Sequence, residues 1–358
     1  MDSIQIASRL YDYEVRFTED LAWELAAFPL ETTAYVIDRK VASLYAEKLG
    51  GDGQLRREHC FYVDAVEERK DMDTVMEIVS FWQSIGLHKD WRVLCIGGGI
   101  VQDLTTMASE LYLRNMDWYF FPTTLLSMCD SCIGGKCGIN LGAYKNQLGV
   151  FYPPKQIVID PSFLQTLSEA DYLNGWGELL KFSLTEDCGM YEQIKQEEQL
   201  IPCANIAGYI RKGLEIKKKI IEADEFESDL RRVLNYGHSF GHALEAYTKH
   251  GVPHGKAVIW GIDVANFIAA EQGLISRAMY QDIQNTIRTA FLPEPICVDN
   301  PRALFDILRT DKKVKGNCLS FALLDGPAHL GVYPIALDSR LYELFQGYLE
   351  EDHGYNRH

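Results

Sequence analysis

Short apolar runs alternate with amphipathic stretches through the first part of the chain. Tyr35-Val36-Ile37-Asp38 is a β-type run, and helical spacing follows at Val41, Leu44 and Tyr45. Phe61-Tyr62-Val63 precedes apolar positions Val75, Ile78, Val79, Trp82 and Ile85, again at helical spacing. Arg92-Val93-Leu94-Cys95-Ile96 stops at Gly97-Gly98-Gly99, after which Leu104, Met107, Ala108 and Leu111 recur with a helical period. Trp118 to Phe121 is the next strand. Strand, glycines, helix, strand is the order that builds a parallel α/β sheet.

Beyond Asp160 the pattern changes. Helical periodicity runs over Tyr172 to Leu184, Ile206 to Ala223, the segment after Leu234, Ala257 to Gln272 and Arg277 to Ala290. One late β signal, Cys318 to Leu324, turns at Asp325-Gly326-Pro327 into Leu330 to Ile335 as a hairpin. The expected organisation is an α/β domain over residues 1–160 and a mostly α-helical domain over 161–358, joined near Asp160-Pro161. The polar end, Glu350 to His358, is expected to fray.

Composition narrows the partners. With 35 Lys+Arg against 51 Asp+Glu the formal charge is −16, which opposes a nucleic-acid backbone and leaves room for a small anion held by a local basic cluster. No apolar run reaches membrane-spanning length. The start, Met1-Asp2-Ser3-Ile4-Gln5, lacks a basic stretch followed by an apolar one, so no signal peptide is expected and the cytoplasm is the expected compartment. Nine scattered cysteines do not form a disulfide framework. Cys129-x-x-Cys132 with Cys137 is read as small packing residues in preference to a redox or zinc motif, because no second pair occurs.

Candidate chemistry gathers in three places. Gly97-Gly98-Gly99 lies between a strand and a helix, where backbone amides can approach a pyrophosphate, although the sequence is not Gly-x-Gly-x-x-Gly. From Asp130 to Asn146 glycines frame Lys136, and Lys145-Asn146 follows. This stretch fits either a phosphate-holding loop or a solvated surface loop. His238 and His242 are four apart on one helical face, and His254 follows a Gly/Pro break. Such spacing fits a metal site or two capping histidines. Glu178 and Lys181, three apart, share a helical face, as Arg231 and Asn235 would in a helix just before His238. The run Lys217-Lys218-Lys219 is bland by itself.

Taken in order, Gly-Gly-Gly-x-x-x-Asp at Gly97 to Asp103, Pro-Thr-Thr-Leu-Leu at Pro122 to Leu126, Asp130 with Gly134-Gly135-Lys136, Lys145-Asn146, Glu178-x-x-Lys181, Asn235-x-Gly-His-x-x-Gly-His and Pro253-His254-Gly255 resemble the 3-dehydroquinate synthase family of the sugar-phosphate cyclases. The resemblance covers Ile37 to Lys313. It implies a Rossmann-like nucleotide-binding sheet, a helical metal-binding domain, bound NAD and one divalent ion, zinc first and cobalt as the alternative. It implies Glu178, His238 and His254 as metal ligands, with His242 on the substrate. Gly98, Gly99, Ile100, Asp103, Thr123, Thr124, Leu126, Asp130, Lys136, Lys145, Phe163 and Thr166 would line NAD, with Asp38, Glu67 and Lys70 toward its adenosine end. Arg114, Asp130, Lys136, Asn146, Lys181, Lys217, Arg231, Asn235, His242 and one of Lys312 or Lys313 would hold a phosphorylated seven-carbon sugar acid.

The reaction so implied oxidises the substrate transiently with NAD, eliminates phosphate, returns the hydride and closes a carbocycle by an intramolecular aldol step. Arg231 suits a carboxylate, which favours 3-deoxy-D-arabino-heptulosonate 7-phosphate as substrate and 3-dehydroquinate as product. The alternatives are a cyclase of secondary metabolism, of amino-dehydroquinate or sedoheptulose 7-phosphate type, and a metal- and NAD-dependent polyol dehydrogenase. A homodimer is expected, and neither nucleic acid nor membrane is. Five departures from the family pattern stand out: Val66 before Glu67, Gln102 before Asp103, Asn115 after Arg114, Cys132 with Cys137, and Trp176 before Glu178.

Overall fold

The computed structural model describes residues 3–49, 55–142, 144–249, 251–294, 296–310 and 314–351. Among the described residues, nine strands occupy the first part of the chain: β1 (Ser3–Ile6), β2 (Tyr13–Phe17), β3 (Thr33–Asp38), β4 (Cys60–Val63), β5 (Arg92–Gly97), β6 (Trp118–Pro122), β7 (Ile139–Leu141), β8 (Tyr144–Leu148) and β9 (Gln156–Ile159). Seven of them form one sheet in the order β1-β2-β9-β6-β5-β3-β4. Only β1 and β2 pair antiparallel within it; the other neighbours are parallel. Ala34 to Ile37 and Val93 to Ile96 are almost completely buried, which is why these strands read as unbroken apolar runs.

The order of the strands locates a binding position. From β3 the chain moves to β4 at one edge, whereas from β5 it moves to β6 on the other side. The carboxyl ends of β3 and β5, at Asp38 and Gly97, therefore flank a topological switch point, where open α/β sheets bind ligands. The helix Gly99–Leu111 starts directly at this point.

Chain packing divides the molecule into two units, Met1–Ser168 with Lys217–Phe226, and Glu169–Ile216 with Glu227–His358. The expected division at residue 160 thus meets a packing boundary eight residues later, because Pro161–Thr166 is tied to the first unit by the Tyr45 hydroxyl, which donates to the carbonyls of Ser162 (3.3 Å) and Phe163 (2.8 Å). The end of the helix Ile206–Ala223 also belongs to the first unit.

The second unit is mostly helical. Its axis is the helix His254–Glu271, in which every residue from Ala257 to Ala269 is buried. A helix apolar on all sides must be surrounded, and Glu169–Thr185, His238–Tyr247 and Arg277–Thr286 pack against it. The helix begins at His254, three residues before the start expected from periodicity. The predicted hairpin is present as β10 (Cys318–Gly326) and β11 (His329–Ala336). Among the described residues, no helix is long and apolar enough to cross a membrane.

Candidate functional site

Three helix segments of the second unit meet through glycines. A Cβ on Gly177 would lie 2.9 Å from the Gly255 carbonyl oxygen, and one on Gly241 would lie 2.9 Å from that of Ala257. A Cβ on Gly255 would meet Asn174 N at 2.8 Å, with the Leu173 carbonyl nearer still. The helices can cross this closely only where no side chain intervenes. Each crossing glycine adjoins a chemistry-bearing residue: Gly177 precedes Glu178, and Gly255 follows His254. Gly237, at φ 76, precedes His238 and starts its helix from the left-handed region.

The outcome is a convergence of donor atoms. Glu178 Oε1 stands 3.3 Å from His238 Nε2 and 3.4 Å from His254 Nε2. A tetrahedral ion bound at about 2.0–2.1 Å holds neighbouring ligand atoms about 3.3 Å apart, so the donor set fits a divalent ion in both chemistry and spacing. Burial alone would raise the Glu178 carboxyl, but Lys181 and the imidazoles outweigh it and hold it well below the usual carboxylate range. Desolvation pulls the His254 imidazole down, yet hydrogen bonding to Glu178 and Glu245 lifts it to about 10. The far nitrogens are engaged as well: His238 Nδ1 lies 3.0 Å from the Tyr236 carbonyl, and His254 Nδ1 lies 3.3 Å from Glu245 Oε2.

Other assigned residues of this unit lie close by in the chain. Lys181 is buried and its ammonium pairs with Glu178 Oε2. The His242 ring is 5.3 Å from that of His238 and 6.1 Å from that of His254. Arg231 is buried in the short 3₁₀ turn Leu230–Asn235. This corrects one expectation: at about 3 residues per turn, positions four apart do not share a face, so Arg231 and Asn235 do not stack as they would in an α-helix. Asn235 Nδ2 instead donates to Glu227 Oε1 at 3.1 Å. Glu227, held at φ 58, has no role in the sequence reading above, because nothing in its local pattern distinguishes it from its acidic neighbours.

The first unit carries a separate polar cluster. Gly98 caps the helix Gly99–Leu111 without a side chain, leaving the first-turn N–H groups of Gly99 and Ile100 available to an anion. A Cβ on Gly98 would meet Thr124 Cγ2 at 2.9 Å, and Thr123 N donates to the Gly97 carbonyl at 3.0 Å, so the Thr123-Thr124 turn backs the glycine turn. Asp38 caps the helix Arg39–Leu44 that follows β3 by accepting from Lys40 N. Lys70 Nζ lies 2.6 Å from Asp103 Oδ2 and donates to Asn146 Oδ1 at 2.9 Å. Lys70 thus joins Asp103 directly to the hairpin β7–β8. Asn146 sits at φ 52, and Gly138 leaves the space its side chain needs.

Glu67 Oε1 accepts from Asn140 Nδ2 at 2.9 Å and stands 3.9 Å from Lys145 Nζ. The expected loop from Asp130 to Asn146 is therefore partly regular: a wide π turn, Ser127–Ser131, is followed by the hairpin. Lys217, bland in sequence, is buried; its ammonium is 2.5 Å from Asp130 Oδ1 and donates to the Asp130 carbonyl at 2.7 Å. Phe163 is buried and Thr166 exposed on the turn Pro161–Thr166. Leu126 is half-buried beside Thr124, and Lys136 is exposed. Arg114 is exposed in a left-handed run with Leu113 and Asn115, at φ 49, 58 and 66. Lys312 and Lys313 lie outside the described residues.

The departures acquire physical reasons. Asn115 replaces glycine at a left-handed position that asparagine tolerates. Val66, at φ −113, needs no glycine. Gln102 and Ser131 exchange two hydrogen bonds, 2.7 Å and 2.6 Å, that tie the helix to the turn bearing Asp130. Cys132 and Cys137 are buried free thiols, in keeping with the packing reading. Trp176 is completely buried, donates to the Leu200 carbonyl at 2.9 Å and packs on Tyr209 and Phe291.

Comparison with known proteins gives the following. Residues 60–174 match the family model described as 3-dehydroquinate synthase N-terminal, and residues 175–314 match that described as 3-dehydroquinate synthase C-terminal. The chain is 31% identical over 324 residues to 3-dehydroquinate synthase of Streptococcus sanguinis (strain SK36), covering 88% of this chain and 91% of that one. Among solved structures it is similar to 2-epi-5-epi-valiolone synthase from Streptomyces hygroscopicus subsp. jinggangensis 5008 with NAD+ and Zn2+ bound, at TM-score 0.84, 27% identity and coverage of 97% and 99%. A 2-deoxy-scyllo-inosose synthase complexed with carbaglucose-6-phosphate, NAD+ and Co2+ shares the fold, at TM-score 0.86, 21% identity and coverage of 97% and 100%.

Proposed function

The chain belongs to the 3-dehydroquinate synthase family, and from that premise we propose that it converts 3-deoxy-D-arabino-heptulosonate 7-phosphate to 3-dehydroquinate and phosphate. Glu178, His238 and His254 hold a divalent ion, zinc or cobalt. The glycine turn at Gly98-Gly99-Ile100, with Asp103, Thr123, Thr124 and Lys70, holds NAD. When bound, the nicotinamide supplies a reversible hydride acceptor and the ion an acid for neighbouring hydroxyls.

The chain's own tasks are orientation and charge. Arg231, a buried guanidinium, holds the substrate carboxylate, and this residue carries the choice of substrate, because its planar fork suits bidentate binding of a carboxylate. Lys181 stands against Glu178, where its ammonium can donate to an oxygen of a molecule on the ion. Asn235 and His242 supply further polar contacts in the second unit. In the first, Asp130 and Lys217 form one charged pair and Lys70 fixes Asn146 by hydrogen bonding, while Lys136 adds a further positive charge. These groups bind before reaction and cost no reorganisation during it.

The test is phosphate release from the heptulosonate phosphate with NAD and zinc present. Expected are stoichiometric phosphate, no net NADH absorbance and loss of turnover with chelator. Arg231→Ala should weaken kcat/KM by roughly 10- to 150-fold, the worth of about 1.5–3 kcal/mol for hydrogen bonds to a charged group. Intact turnover in Arg231→Ala, or a different cyclised product by mass from a carboxylate-free sugar phosphate, would sink the assignment.

A further inference from the structure

The two imidazoles of the ligand set differ in what lies behind them. His238 turns its Nδ1 to a neutral acceptor, the Tyr236 carbonyl at 3.0 Å. His254 turns its Nδ1 to a carboxylate, Glu245 Oε2 at 3.3 Å, while its Nε2 faces Glu178 Oε1 at 3.4 Å. Glu245 lies seven residues beyond His238 on the helix His238–Tyr247, two turns along the same face, so one helix presents both a ligand and the partner of another ligand. The Glu245 side chain is only 13% exposed, so the contact is sheltered from water.

We propose that Glu245 is a positioning residue for the metal centre. Its carboxylate accepts the Nδ1–H of His254 and fixes the tautomer whose lone pair is on Nε2. The inference rests on the ligand set proposed above and assigns to it a residue that touches none of the reacting atoms. A charged acceptor strengthens such a hydrogen bond relative to a carbonyl, and partners of this kind usually govern metal affinity.

A different use of the same atoms exists. His242, Glu245 and His254 also bring ligand atoms within 4.8 Å of one another, which would suit a second ion. That ion would take His254 Nδ1 while Nε2 serves the first, and a neutral imidazole has only one nitrogen free to ligate. Occupying both requires removing its last proton, which a carboxylate acceptor does not. The single-ion arrangement with Glu245 as acceptor is the one the chemistry favours.

The experiment titrates zinc into the metal-free full-length protein against a chromophoric chelator and counts bound cobalt by its visible absorption. Native protein should bind one ion per chain. Glu245→Ala should lower zinc affinity by about 10- to 100-fold with the stoichiometry unchanged. Glu245→Gln keeps the shape and an uncharged acceptor, and should fall between native and alanine; it carries the test alone should the alanine variant fail to fold. Native affinity in Glu245→Gln, or in Glu245→Ala while Glu178→Ala loses binding, overturns the inference. So does a second ion per chain that Glu245→Ala abolishes. If Glu178→Ala also binds zinc as the native protein does, the ligand set itself is wrong, and the two failures are told apart.

Discussion

Replacing Gly255 by alanine tests whether helix crossing sets the ligand geometry. The added Cβ would lie 2.8 Å from Asn174 N, and ordinary van der Waals contact begins near 3.4 Å. The atoms in the way are backbone of the helix Glu169–Thr185, so no side chain can swing aside. The start of the helix His254–Glu271 must therefore retreat by at least about 0.6 Å, carrying His254 with it, whereas a metal site tolerates about 0.2 Å in its bond lengths. Overpacking of this kind costs about 1–3 kcal/mol. If that strain falls on the bound state, zinc affinity drops roughly 5- to 150-fold. The assay is chelator competition on metal-free protein, with Gly273→Ala as the control. Gly273 sits at φ 73 with open space around its Cβ position, so its alanine variant strains the backbone without touching the crossing. Native zinc affinity in Gly255→Ala, or an equal loss in Gly273→Ala, would refute the reasoning.

Zinc uptake should also displace a proton. In the metal-free protein Glu178 and Glu245 hold His254 up to about 10, so at pH 8 the ion must replace the proton on Nε2. About one proton per ion should be released, and affinity should fall as pH falls below about 10; calorimetry in two buffers of different ionisation enthalpy measures it, and zero release at pH 8 contradicts it. Lys70→Met should destabilise the fold by roughly 3 kcal/mol at neutral pH, because Asp103 is left buried without its cation. Burial already raises the Asp103 carboxyl against the pull of Lys70, so in the variant the carboxyl protonates as pH falls and the deficit should shrink. Urea unfolding at two pH values reads this, and a deficit that does not change with pH speaks against it.

Legibility followed the physics of each element. β3, β5 and β6 could be read because strands covered on both faces need continuous apolar residues. β8, Tyr-Lys-Asn-Gln-Leu, carries no such pattern, since all but its last residue are exposed and its partner and turn decide its conformation. β1 and β9 are four residues each, too short for periodicity to speak. The motif residues Glu178, His238 and His254 were nameable from their resemblance to a family, but their convergence depends on glycines that matter only once three helices cross. Lys217 looked like any helix lysine because its carboxylate partner lies far away in the chain. Glu227 and Glu245 escaped for the same reason: the first is set by an irregular turn, the second by an imidazole on the next helix.

The two rims of the large sheet, β1 and β4, are strands of only four residues each. A neighbouring chain seeking to extend the sheet would find few bonds to make before the rim ends, which protects a crowded solution from fibrous self-association. Extension of this sheet from one copy of the molecule to the next is thereby disfavoured.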